Sequence, residues 1–156
     1  RIGDQERIFR LIPALAQAEF VRHGAMHRNF FLDAPRALTP CQESQRQPGL
    51  FFAGQMTGVE GYVESMASGL LAARHVLARL AGGAPSLPPP TTILGALARF
   101  LADQAPGRAQ PMNAAFGLLP PLAERVGAKA ARKLAYAERS LAALAAYLQE
   151  ERDLRL

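Results

Sequence analysis

Apolar positions fall into short blocks separated by glycine and proline, and the spacing within each block predicts its element. Ile8, Leu11 and Ile12 share one side of an opening helix that Asp4 can cap and Pro13 ends. Between residues 18 and 32, Phe20, Val21, Phe30, Phe31 and Leu32 flank the polar run His23-Gly24-Ala25-Met26-His27-Arg28-Asn29, which reads as extended segments joined by a turn. Residues 33–49 contain Pro35, Pro40, Pro48 and Gly49 and read as loop. Leu50-Phe51-Phe52-Ala53 is wholly apolar, the pattern of a short strand buried on both faces. From Val63 the period becomes helical, with Met66, Leu70 and Leu77 on one stripe and Leu71 and Leu80 beside it, as far as Gly82-Gly83.

The second half is punctuated by proline. Ala84 to Pro90, with Pro88-Pro89-Pro90, predicts a stiff linker, after which Thr91 or Thr92 can cap a helix carrying Leu94, Leu97, Ala98 and Leu101. A loop over residues 106–111 leads to Met112-Asn113-Ala114-Ala115-Phe116-Gly117, and Pro120-Pro121 then opens a long terminal helix from about Leu122 to Leu154. On that helix Arg125, Lys129, Arg132 and Lys133 form one basic stripe, with Arg139 near its edge. Leu134, Leu141 and Leu148, with Leu144 beside them, form an apolar stripe expected to dock on another surface. The expected division is 1–83 and 84–156, in an α/β fold of short strands, one strand-turn-helix unit and a mainly helical C-terminal part.

Composition narrows the function. With 156 residues, 49% of them hydrophobic, the chain is long enough for one core, and no apolar run approaches a membrane span of about 18 residues. A cytoplasmic setting is the expectation. The single cysteine, Cys41, excludes an internal disulfide or a cysteine-zinc framework, and with no cation among its immediate neighbours it reads as an inert thiol. A net charge of +5, with all but two of the 18 basic residues arginine, makes a polyanionic partner plausible. His23 and His27 have a helical metal-ligand spacing, but Gly24 in a turn undermines it, and no metal site is expected. The opening Arg1-Ile2-Gly3-Asp4, with no initiator methionine, suggests a piece of a longer protein.

The most informative stretch is Gly54-Gln55-Met56-Thr57-Gly58-Val59-Glu60-Gly61-Tyr62-Val63-Glu64-Ser65, where three glycines occupy a turn into a helix. Glycine accepts positive φ and lets a ligand approach the backbone, while the first helix amides are unpaired donors at the positive end of the dipole. A flavin, whose reduced form is an N1 anion, suits such a site, as does a phosphate. A tight turn with no ligand fits the spacing equally well. Neither GxGxxG nor GxxxxGK[ST] occurs, so a dinucleotide's pyrophosphate would bind elsewhere. His27-Arg28-Asn29 offers a ring, a cation and an amide that can stack on and hydrogen-bond a heteroaromatic ligand, or simply form a surface turn.

LFFAGQMTGVEGYVESMASGLLAA, preceded by MHRN and followed by PMNAAFGLLP, closely resembles the C-terminal part of the flavin- and folate-dependent tRNA uracil-5-methyltransferases, TrmFO. The resemblance runs from about Asp4 through the terminal helix. It implies a fragment of a GidA-like, Rossmann-type flavoprotein in which 1–83 belong to the FAD-binding domain. The implied reaction is methylation of a T-loop uridine of tRNA at C5, with methylenetetrahydrofolate as carbon donor, reduced FAD as reductant and NAD(P)H as electron source. By position, residues Gly54 to Tyr62 would face the flavin ring, and Thr57 and Tyr62 could add side-chain contacts. His27, Arg28 and Asn29 would border the folate pocket, Gln110, Met112 and Asn113 would close it, and Arg125, Lys129, Arg132 and Lys133 would contact tRNA phosphates.

Departures from the pattern bear on activity. The family's N-terminal FAD fingerprint and catalytic cysteine are not matched here, so the chain is expected to need the remaining N-terminal part of the protein. Phe30 stands where a threonine is usual, and Ala114-Ala115 where Ala-Asn is usual. The alternatives are a GidA-like enzyme acting on the wobble uridine, and a non-enzymatic helical RNA-binding module whose glycine turn is only structural.

Overall fold

The structure is a computed structural model that describes residues 2–24 and 30–153. Among the described residues five α-helices follow one another: α1 (Ile2–Phe9), α2 (Ala34–Ala37), α3 (Tyr62–Leu80), α4 (Ile93–Ala102) and α5 (Lys129–Asp153). Short 3-10 turns occupy Pro13–Leu15, Gly54–Thr57 and Phe116–Leu118. The helical part of the α/β expectation is present, but the sheet is not. Among the described residues, β pairing is confined to the isolated bridges Leu38–Ser44, Glu43–Phe51 and Val59–Met112.

The strand expected at Leu50–Ala53 is therefore corrected. Its main chain is held on one side only, by Ser44 N–H to Leu50 O at 2.8 Å and Phe52 N–H to Gln42 O at 2.9 Å. A strand buried on both faces needs ladder partners, and apolar composition does not say whether they exist. The 33–49 loop is more ordered than its prolines imply, since α2 and the two antiparallel bridges lie within it or end on it.

α3 runs close to its expected limits. Gly61 is its N-cap, Glu64 lies in the first turn and Arg79 in the last, and Gly82 stops it with a φ of +77°. Its buried face differs from the expected one. Ser68, Leu71, Ala72 and His75 are buried, whereas Val63, Met66, Leu70, Leu77 and Leu80 are exposed. Spacing identifies an apolar stripe, but only packing decides whether it is covered.

α4 forms as expected under a Thr92 cap, with Gly95 N–H donating to Thr92 Oγ1 at 3.1 Å. Gly95 lets the helix sit against the linker, because a Cβ there would lie 2.3 Å from both Pro88 O and Pro89 O. Leu97 and Leu101 then meet Val59, with Met112 and Leu118 packed alongside. Each fully buried leucine contributes about 2 kcal/mol. This core joins residues from both sides of the proline linker.

The two terminal helices depart most from expectation. α1 ends at Phe9, Asp4 lies in its first turn rather than at its cap, and Ile8, Leu11 and Ile12 are exposed. α5 begins at Lys129, leaving residues 122–128 non-helical. Two prolines precede that stretch, Gly127 lies within it, and cations at a helix's opening turn oppose its dipole. Arg125 thus falls off the helix, and the four-residue basic stripe is reduced to Lys129, Arg132 and Lys133. α5 is attached through a different face from the leucine stripe. Arg139 donates to Pro120 O and Pro121 O at 2.6 and 2.7 Å, Tyr147 donates to Ser86 O at 3.0 Å, and Tyr136 packs on Phe116. Leu134 and Leu141 remain 59% and 67% exposed. No helix among the described residues is long and apolar enough to cross a membrane.

Candidate functional site

The glycine turn is built as its sequence implies. Gly54, Gly58 and Gly61 have φ of +62°, +90° and +91°, where a side chain is strained. Thr57 Oγ1 donates to Gly54 O at 2.7 Å and Gly58 N–H to Gln55 O at 3.0 Å, which closes the 3-10 turn. Gly61 is the tightest position: a Cβ there would meet Glu64 Oε2 at 2.3 Å and Asn113 Oδ1 at 3.0 Å. Among the described residues no side chain caps α3, which leaves its opening amides as donors.

The segment around Met112 lies directly against this turn. Glu60 N–H donates to Met112 O and Met112 N–H to Gly58 O, both at 2.9 Å, in a parallel bridge. Asn113 Nδ2 donates to Glu60 Oε2 at 3.2 Å, and Ala114 N–H to Glu64 Oε1 at 3.2 Å. Two regions separated by about fifty residues thus form one wall. An open cleft of about 420 Å³ is lined by Gln55, Val59, Glu60, Gly61, Tyr62, Ser65 and Asn113, with Tyr62 almost fully exposed at its edge.

The carboxylates decide what this cleft favours. A bare phosphate would sit near Glu60 and Glu64, whose charge offsets the helix dipole. A planar ligand with mixed donors and acceptors can use the amides, the Asn113 and Gln55 amide groups and the Tyr62 ring together. The residues present therefore fit the edge of a flavin ring better than a phosphate.

Other sequence candidates are placed differently. The main chain of Gln110 is held by the Gln104 side chain, its N–H donating to Gln104 Oε1 at 2.6 Å while Gln104 Nε2 donates to Gln110 O at 2.9 Å. His27, Arg28 and Asn29 lie outside the described residues. His23 Nε2 is 2.9 Å from Glu6 Oε1, with its ring stacked on Phe20. Burial pushes the Cys41 thiol's pKa up, against the pull of Arg99 and with the push of Glu43, as befits an unreactive thiol.

Two buried polar residues that tie α3 to its neighbouring segments carried no sequence signal. His75, 1% exposed, has Nδ1 at 2.7 Å from Cys41 O and Nε2 at 2.9 Å from Ser86 O, tying the 39–43 loop and the linker to α3. Burial pushes its pKa down, while the Ser86 and Cys41 carbonyls act in the opposite sense. Glu43, 5% exposed, accepts from Arg79 Nη2 at 2.9 Å and Gly49 N–H at 2.8 Å. Its pKa is lowered first by the Arg79 hydrogen bond and next by Gly49.

Residues 1–84 match the family model described as glucose inhibited division protein A, GidA. The chain belongs to the GidA family. Within the wider set of similar proteins it is 52% identical over 141 residues to the methylenetetrahydrofolate--tRNA-(uracil-5-)-methyltransferase TrmFO of Syntrophomonas wolfei, covering 90% of this chain and 32% of that protein. The TrmFO proteins of Magnetococcus marinus and Anaeromyxobacter dehalogenans are 53% and 56% identical, over 94% and 93% of this chain and 33% of each relative. This GidA-family chain spans about a third of the length of the curated relatives it matches.

Proposed function

We propose that the full-length protein carrying this sequence methylates C5 of a T-loop uridine in tRNA, using methylenetetrahydrofolate and FAD, with NAD(P)H as electron source. The start of α3, uncapped among the described residues and facing a cleft that Asn113 also lines, carries this reading. The names of the relatives at about 50% identity support it.

In this reading the amides opening α3 hydrogen-bond the N1 and C2-carbonyl edge of the flavin, and Asn113 and Tyr62 fix the ring plane. When bound, the reduced flavin supplies the electrons that turn the transferred methylene into a methyl group. Met112 and Asn113 form one wall of the folate pocket, and His27, Arg28 and Asn29 the other. Gln110, whose main chain is held by the Gln104 side chain, closes the folate pocket beside Met112 and Asn113. Exposed Lys129, Arg132 and Lys133 contact tRNA phosphates, with Arg125 on the preceding loop as a fourth cation. Residues 1–83 belong to the FAD-binding domain, and 84–156 form a helical C-terminal region. The exposed apolar stripe of α3, from Val63 to Leu80, packs against the rest of the FAD-binding domain.

The test is methyl transfer by the full-length protein to tRNA transcripts, with the modified nucleoside mapped. Folate- and flavin-dependent 5-methyluridine in the T-loop is the expected product, and none is expected from residues 1–156 alone. Modification at the wobble position instead would move the chain to the other branch of GidA-like chemistry. Saturable RNA binding with no flavin uptake would leave only a binding module.

A further inference from the structure

Gln42 is an unusual residue in an unusual place. It has a φ of +65°, the left-handed region, and no other described residue except glycine does. Neither flexibility nor a side chain suited to that region explains its presence, since glutamine is not among the residues that tolerate it. The Thr39–Gln42 turn, closed by Gln42 N–H to Thr39 O at 2.9 Å, sets this conformation and turns the side chain inward.

The buried amide is poorly matched to its surroundings. Gln42 is 7% exposed and lines a small, partly open pocket of about 30 Å³, among Leu38, Val59, Leu71 and Leu97. Its Oε1 has no hydrogen-bond partner among the described residues, while Nε2 donates to Ser68 Oγ at 2.5 Å. Core packing alone favours an apolar side chain of that size, because an unsatisfied buried amide oxygen is unfavourable.

What the amide does hold is the beginning of the glycine turn. Ser68 Oγ accepts from Gly54 N–H at 3.0 Å, and Gln42 O accepts from Phe52 N–H at 2.9 Å. One residue thus fixes the main chain on both sides of Ala53, its carbonyl before and its side chain, through Ser68, after. Gly54 in turn accepts from Thr57 Oγ1 through its carbonyl, and the next residue, Gln55, lines the cleft.

We propose that Gln42 is a positioning residue: acting through Ser68, it sets where the Gly54 turn presents its backbone to the flavin. This rests on the flavin reading above and adds a determinant outside the turn. Gln42→Met keeps length and volume but removes the amide, and Ser68→Ala removes the relay from the other end.

In the full-length protein, FAD affinity, the visible flavin spectrum and the thermal midpoint are measured for both single variants and the double. Each single substitution should weaken FAD binding by about fivefold, the loss expected when one modest hydrogen bond no longer organises a binding turn. The flavin absorption bands should shift while Gln42→Met keeps its midpoint or raises it, and the double variant should resemble the singles. Affinity and spectrum equal to those of the unsubstituted protein in either single variant, or additive losses in the double, would overturn the positioning role. An unsubstituted protein that takes up no FAD would instead remove the flavin reading itself, and this proposal with it.

Discussion

The short glycine turn and the 25-residue terminal helix are held in place in opposite ways. Between Gly54 and Gly61 the backbone is tied to residues distant in sequence, with Thr57 and Val59 buried and Met112 bonded on both sides. α5 is regular and long, yet it is held at a few points, Tyr136, Arg139 and Tyr147, while Leu134 and Leu141 face outward. Irregular backbone locked by non-local hydrogen bonds can hold a ligand's geometry. A helix satisfied by its own main chain needs few contacts to exist, and so reveals little about what it touches.

Removing apolar bulk should separate the two regions most clearly. Leu97→Ala opens a cavity against Val59 and should destabilise the protein by about 3 kcal/mol, while Leu141→Ala should stay within about 0.5 kcal/mol. Urea unfolding read by circular dichroism measures both, and comparable losses would mean that α5 is as well packed as the turn. Gly61→Ala comes next. Its positive φ, which strains any L side chain, should cost about 2 kcal/mol and weaken FAD binding by the full-length protein at least tenfold. Titration by flavin fluorescence reads the second effect, and undiminished affinity would detach the turn from the cofactor.

Acid should act more gently, and on the loop beside the turn. Because Arg79 and Gly49 hold the Glu43 pKa below its unfolded value, this carboxylate stabilises the fold fully above the ordinary glutamate range. That contribution is lost as pH falls through the lowered folded value. Glu43→Gln should therefore flatten the dependence of the unfolding midpoint on pH below about 4.5, near the unperturbed glutamate value. A variant with the same acid slope as the unsubstituted protein would assign that slope to other groups.

The sequence made the turn legible because its physics is local. Three glycines beside a helix start specify positive φ at those positions and nothing else needs to be known. Thr92 and Gly82 were readable for the same reason, as a cap and a stop. What escaped depends on partners. Leu50–Ala53 has strand composition without the neighbours that make a strand, and Met66 and Leu70 lie on an apolar stripe that nothing covers among the described residues. Charge periodicity alone extends α5 back to Arg125, past the point where Gly127 and the dipole stop the helix. Gln42, His75 and Glu43 had no motif at all, since a buried polar side chain is recognisable only once its hydrogen-bond partners are brought beside it.

The central claim is that the amides opening α3 face the redox edge of a flavin, with Met112 and Asn113 on the opposite wall. A crystal structure of the full-length protein with FAD tests this directly. The account predicts flavin N1 or the C2 carbonyl within about 3 Å of a backbone nitrogen between Gly61 and Glu64. An isoalloxazine ring that makes no contact with residues 54–62 would contradict it.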